Sequence, residues 1–180
     1  MSNASTPSMG RPLYTAEERA RRDRSVWTVV QGVLAPLQLL AFLVSVWLVL
    51  SFLQTGDGEN AATISIVIKT LFLYAIMVTG AIWEKEVFGV WLFAPSFFWE
   101  DVVSMAVIAL HTAYMYAMLT GTLPVREQML LALIAYGTYV VNALQFFYKL
   151  YLARKGGALA PSEQTVLNNH AAQPAQMVDA

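Results

Sequence analysis

Apolar positions dominate four stretches of the chain, near Trp27 to Phe52, Ala62 to Trp83, Phe97 to Leu119 and Gln128 to Leu152. Each is long enough to cross a hydrocarbon layer about 30 Å thick as a helix of roughly 20 residues. The few polar residues inside them recur with helical spacing. Gln31, Gln38 and Ser45 repeat every seven residues and draw one slowly drifting stripe along the first stretch. Glu100, Ser104, His111 and Tyr114 share a face of the third, with Asp101 rotated by about a quarter turn. Thr138, Asn142, Gln145 and Lys149 share a face of the fourth. Stripes of this kind predict a bundle interior set against a lipid-facing remainder. The expected fold is all-α: a polytopic membrane protein with four transmembrane helices, the first kinked at Pro36.

The segments outside the spans differ in character. Met1 to Pro12 reads as a disordered tail, whereas Thr15 followed by Glu18 is a capping-box signature for a short amphipathic interfacial helix reaching about Arg24. The connection from Glu84 to Ser96 is too apolar for an ordinary loop and too short for a span, which predicts an interfacial or re-entrant connection between helices 2 and 3. Its Phe88, Trp91 and Phe93 suit either an aromatic belt or the face of a flat ligand. The chain thus divides into a polar arm over 1–25, a four-helix catalytic domain over 26–153 and a disordered tail over 154–180.

Composition agrees with a lipid environment, since 57% hydrophobic and 13% charged residues in 180 leave more apolar surface than so small a domain can bury. A net charge of −1 suggests no nucleic-acid partner. Positive charge is local, with Arg11, Arg19, Arg21, Arg22 and Arg24 in the arm, Lys85 in the second connection, and Lys149, Arg154 and Lys155 after the last span. Positive-inside counting places both termini and the Glu84 connection in the cytoplasm. The arginine-rich N-terminus lacks the apolar core of a signal peptide, and the absence of cysteine rules out thiolate and disulfide chemistry.

Candidate chemistry gathers where charge meets apolar sequence. Glu84, Glu86, Glu100 and Asp101 lie at the edges of the second and third spans, and ionisable groups in such places are costly unless paired or used. Carboxylates brought together in a dry pocket divide labour, one keeping its proton while its neighbour stays ionised. His111, in mid-span, suits an axial ligand to a tetrapyrrole metal, a proton carrier or a buried hydrogen-bond donor, and a lone histidine favours the last. Lys69 is expected to snorkel outward, and Gln31 and Gln38 to glue helices by hydrogen bonds. No HExxH, GxSxG, GxGxxG or P-loop pattern occurs.

Several long strings together carry a family resemblance: Pro12-Leu-Tyr-Thr-Ala-Glu17, Trp27-Thr-Val-Val-Gln-Gly-Val-Leu-Ala-Pro-Leu-Gln38, Ala75-Ile-Met-Val-Thr-Gly-Ala-Ile-Trp-Glu-Lys85, Leu92-Phe-Ala-Pro-Ser-Phe-Phe-Trp-Glu-Asp101 and Ala109-Leu-His-Thr-Ala-Tyr114. From about Pro12 to Arg154 the chain resembles the 3-vinyl bacteriochlorophyllide hydratase family of photosynthetic bacteria. The resemblance implies addition of water to the C3 vinyl group of chlorophyllide a or 3-vinyl bacteriochlorophyllide a, giving the 3-(1-hydroxyethyl) pigment in bacteriochlorophyll synthesis. It implies no added cofactor, the magnesium being part of the substrate, and a home in the bacterial inner or intracytoplasmic membrane. Homodimers or contacts with neighbouring pigment-biosynthesis enzymes are further expectations.

Hydrating a conjugated vinyl group needs an acid, a base and a pocket tolerant of a cation. The expected roles are Glu100 or Asp101 as general acid and Glu84 as the base orienting water. His111 is a candidate ligand to the substrate magnesium. Trp83, Phe88, Trp91, Phe98, Trp99 and Tyr114 are candidates to flank the ring, and Gln38, Asn142 and Gln145 to hold its polar substituents. The competing classes are a non-enzymatic pigment-binding or assembly subunit and a small transporter. The transporter is disfavoured because the first span has no acid.

Overall fold

The computed structural model describes residues 13–171, with side chains described through 152; the expected tail before residue 13 lies outside this range. Two compact units are distinguished, the larger being Tyr14–Gln145. It opens with α1 (Ala16–Arg24), whose start is the expected capping box: the Glu18 N–H donates to Thr15 Oγ1 and the Thr15 N–H to the Glu18 carboxylate. Ser25 then caps α2 (Val26–Thr55), accepting from the Trp27 N–H, and Pro36 sits within this uninterrupted helix.

The remaining helices are α3 (Glu59–Phe88), α4 (Phe98–Thr120) and α5 (Val125–Ala171). α3 ends at Gly89, whose φ of 81° is the left-handed geometry that glycine adopts without penalty. Among the described residues, four helices are long and apolar enough to cross a membrane, the last over Val125–Leu152. Their outward faces carry Leu40, Trp47, Leu71, Leu119, Ile134 and Leu144, all exposed, as a lipid environment requires. In the second unit, the described continuation of α5 from Phe146 to Leu152 is exposed except at Lys149, and the side chains of the expected tail over 154–180 lie outside the described set.

Polar cross-links fix the register of the bundle. Gln31 Nε2 donates to Thr79 Oγ1 at 2.7 Å and Ser45 meets Ser65 at 2.8 Å, which sets α2 antiparallel to α3. Ser45 also meets the Tyr136 hydroxyl at 2.6 Å and Phe42 packs on Tyr139, which sets α2 antiparallel to α5. Asn142 Nδ2 donates to Ser104 Oγ at 2.9 Å between α5 and α4. An apolar core of Phe42, Val49, Ile66, Leu73, Val107, Tyr114 and Met129 fills the space among these links.

Two expectations are corrected. The second span does not stop at Trp83, because α3 continues to Phe88 and makes Glu84 a helical residue rather than part of the connection. Glu-Lys-Glu reads as a polar break, yet all three are good helix formers and the helix runs on to its glycine. Lys69 does not snorkel. It is fully buried, because it lies ten residues into α3, about 15 Å along the axis, beyond what its side chain can span to reach an interface.

Candidate functional site

Glu84 near the end of α3 and Asp101 in the first turn of α4 come together under the connection 89–97. The two carboxyl groups hydrogen-bond to each other, and both residues are buried, at 5% and 4% exposure. A carboxylate has no donor, so this contact needs one shared proton. The connection supplies two successive backbone donors: Phe93 N–H to Asp101 Oδ2 at 2.7 Å and Ala94 N–H to Glu84 Oε2 at 3.2 Å. Phe93 takes φ 61° to make this possible, a strained position for a residue with a side chain. Glu100 is buried beside Asp101, and Ser104 and Asn142 continue the polar lining one turn deeper.

The candidate aromatics separate into two sets. Trp83, Phe88 and Phe97 form a cluster with Tyr14, which stacks on Phe88 at 5.7 Å and lies 6.2 Å from Phe97. Trp83 Nε1 also donates to Thr28 Oγ1 at 2.9 Å. This cluster seats α1 against α3. Burial pushes the Tyr14 phenol above its usual range, and Arg22 lies over its ring at 4.8 Å. Trp91, Phe93, Phe98 and Trp99 instead point outward, with Phe98 5.7 Å from Phe93 and 5.5 Å from Trp99. That second set is an outward-facing aromatic surface beside the carboxylates.

The other candidates are placed elsewhere. Glu86 is turned away and accepts from Ser25 Oγ at 2.7 Å. Tyr114 is buried in the apolar core, away from the carboxylate end of α4. His111 is 1% exposed, with Nδ1 on the Val107 carbonyl at 2.7 Å and Nε2 on Lys69 Nζ. Both ring nitrogens are engaged, so ligation of a substrate magnesium would require His111 to leave Lys69. The Lys69 ammonium also lies over the rings of Tyr139 and Tyr136, at 4.4 and 5.2 Å. Gln38 and Asn142 are buried deeper than the carboxylates, and Gln145 is half-buried. An apolar groove between α2 and α3, lined by Leu37, Leu40, Ala41, Val44, Ser65, Ile68 and Phe72, carries no ionisable group and so no acid or base.

Sequence reasoning missed Tyr14, the burial of Lys69 and the Phe93 and Ala94 amides. Tyr14 lay within a quoted string without any periodicity to mark it. The amides leave no side-chain signal at all.

A profile of the family described as 2-vinyl bacteriochlorophyllide hydratase matches residues 14–152, from the stacking tyrosine to the end of the fourth span. The chain belongs to that family. A 2-vinyl bacteriochlorophyllide hydratase of Rhodobacter capsulatus is 64% identical over 154 residues, covering 86% of this chain and 90% of the relative. A protein of the same description from Cereibacter sphaeroides is 65% identical over 144 residues, covering 80% of this chain and 89% of the relative. No solved structure matches. Within this hydratase family, the carboxylate pair, its amide donors and the outward aromatic surface all fall inside the matched segment.

Proposed function

We propose that this membrane enzyme is a hydro-lyase working as a hydratase in bacteriochlorophyll biosynthesis, adding water to the vinyl group of chlorophyllide a or 3-vinyl bacteriochlorophyllide a to give the 3-(1-hydroxyethyl) pigment. The observation that carries the reading is the hydrogen-bonded pair Glu84–Asp101, held by two backbone amides in a chain of this family. Asp101 receives the shorter amide bond and is the better seat for the negative charge, which leaves the shared proton on Glu84. The roles are then the reverse of those expected from sequence.

Glu84 delivers its proton to the terminal vinyl carbon, and the inner carbon becomes a cation that the conjugated macrocycle delocalises. Asp101 lies where its charge stabilises that cation, and it takes a proton from the attacking water. The proton returns to Glu84 through their hydrogen bond, so the net change is one water added and the enzyme is restored. No redox equivalent is consumed, and the magnesium is carried by the substrate. The pigment reaches the carboxylates along the lipid-facing surface of Trp91, Phe93, Phe98 and Trp99, where its flat apolar ring stays in lipid until it reacts. The arginines of α1 and the connection 89–97 face the cytoplasm, with both termini on that side of the inner or intracytoplasmic membrane.

The test is incubation of membranes containing this protein as their sole pigment enzyme with chlorophyllide a in oxygen-18 water. The expected product carries one added labelled water and the blue-shifted absorption of a pigment that has lost its vinyl conjugation. Pigment recovered unchanged from folded, pigment-bound protein would overturn the reading.

A further inference from the structure

We propose that Gln38 and Asn142 hold the water that the reaction consumes, in a polar layer one helical turn inside the carboxylates; this rests on the hydratase reading above. Gln31 and Gln38 belong to the same stripe but are used differently. Gln31 Nε2 donates to Thr79 Oγ1 and the Ile76 carbonyl, whereas neither Nε2 nor Oε1 of Gln38 has a protein partner, although the residue is only 2% exposed. Asn142, 8% exposed, donates to Ser104 and leaves Oδ1 without a partner, as does Gln145 at its Oε1.

These groups lie in adjoining layers. Phe42 and Tyr139 are in ring contact at 4.9 Å, and α2 runs antiparallel to α5. One turn back from Phe42 is Gln38 and three residues on from Tyr139 is Asn142, so they are displaced by about 6 and 4.5 Å in the same direction, toward the Glu84 end of α3. Ser104, bonded to Asn142, is one turn along α4 from Glu100. Gln145 lies a further turn in that direction, at the level of the carboxylates.

Hydrogen-bond capacity selects the occupant. The orphaned set is rich in acceptors, the oxygens of Gln38, Asn142 and Gln145, against one donor group, Gln38 Nε2. A ring ketone or ester of the pigment is an acceptor only and would leave all three oxygens unsatisfied. Water donates twice and accepts as well, and buried polar atoms without protein partners are the usual seat of internal water. A water taking the Gln38 N–H and donating to Asn142 stands one layer from Asp101, ready to replace each molecule consumed. Gln38 and Asn142 are positioning residues in this scheme, acting through the water.

Hydroxyl-radical footprinting of the full-length protein in membranes, without pigment, tests the layer directly. Phe42 and Tyr139 are buried in the apolar core, yet water beside them would produce oxidation at both, and Gln38→Leu with Asn142→Leu would suppress it. Absence of oxidation in the unmodified protein overturns the proposal without needing any variant to fold. In turnover assays, Gln38→Leu is expected to lower kcat about tenfold with KM for the pigment unchanged. A rise in KM alone would assign the site to the pigment and overturn the proposal. Failure of the hydratase reading would be seen separately, as unmodified protein that forms no hydrated product whatever its footprint.

Discussion

Glu84, four residues before the end of α3, and Asp101, the fourth residue of α4, close a hydrogen bond across the turn that joins their helices. The chain between them makes the pairing work. Phe93 and Ala94 each aim an N–H at one carboxyl, so the connection clamps the pair instead of merely linking two spans. A site built this way carries its charge on the acid with the shorter amide bond and its proton on the other, which suits a reaction that begins with protonation and ends with deprotonation of water.

The pair predicts a specific pH behaviour. Activity needs one proton on two carboxyls, so kcat/KM is expected to fall on both sides of an optimum, as the pair gains a second proton or loses its only one. In Asp101→Asn, Glu84 is the lone acid and works only while protonated. The variant should lose activity as pH rises and show no acid limb. Glu84→Gln cannot donate and is expected to lose on the order of 10²–10⁴-fold at every pH. Steady-state profiles in membranes decide this, and an Asp101→Asn profile with both limbs intact would refute the pairing.

Phe93 separates a backbone role from a ring role. Its left-handed φ of 61° costs on the order of 1–2 kcal/mol, a penalty glycine does not incur. Phe93→Gly keeps the amide on Asp101 and removes the ring from the outward aromatic surface. We expect kcat within about threefold of the parent and a KM for pigment raised about tenfold. A collapse of kcat with unchanged KM would show that the ring serves the carboxylates rather than the pigment.

Tyr14 predicts how α1 is held. Its ring joins Trp83, Phe88 and Phe97, and aromatic pairs of this kind contribute about 0.5–1.5 kcal/mol each beyond burial. Tyr14→Phe should be close to neutral because the stacked ring remains. Tyr14→Ala should release α1 and expose the Arg19 to Arg24 segment to trypsin, while the spans remain protected. Equal cleavage rates in the two variants would mean that the cluster does not anchor the helix.

What could be read from the sequence and what could not divide along physical lines. The four spans follow from runs of apolar residues, a one-dimensional property, and the carboxylates stand out because charge next to such runs is rare. Thr15 and Glu18 were legible because a capping box is local. Gln31 and Gln38, by contrast, are the same residue type in the same stripe, and only the partner helices decide that the Nε2 of one finds an acceptor and that of the other does not. Glu84 was the expected base and Glu86 only one of the four acids at the span edge, and it is the continuing helix that turns one toward Asp101 and the other toward Ser25. The amides of Phe93 and Ala94 were invisible, since any sequence supplies amides and only the fold aims them.

Lys69 and His111 support a last prediction, about stability. His111 gives its Nδ1 hydrogen to the Val107 carbonyl, which makes Nε2 an acceptor for Lys69 Nζ, and the remaining surface of Nζ lies against the faces of Tyr136 and Tyr139. Removing one partner strands the other in an apolar core. Lys69→Met leaves Nε2 unsatisfied, and His111→Leu leaves the buried Lys69 Nζ without its acceptor, so each is expected to destabilise the bundle by about 1–3 kcal/mol. The double variant replaces both polar groups with apolar ones of similar size and should be less damaged than His111→Leu alone. Thermal unfolding of the four proteins in the same detergent measures this coupling. Additive losses would mean that the two side chains are neighbours without being partners.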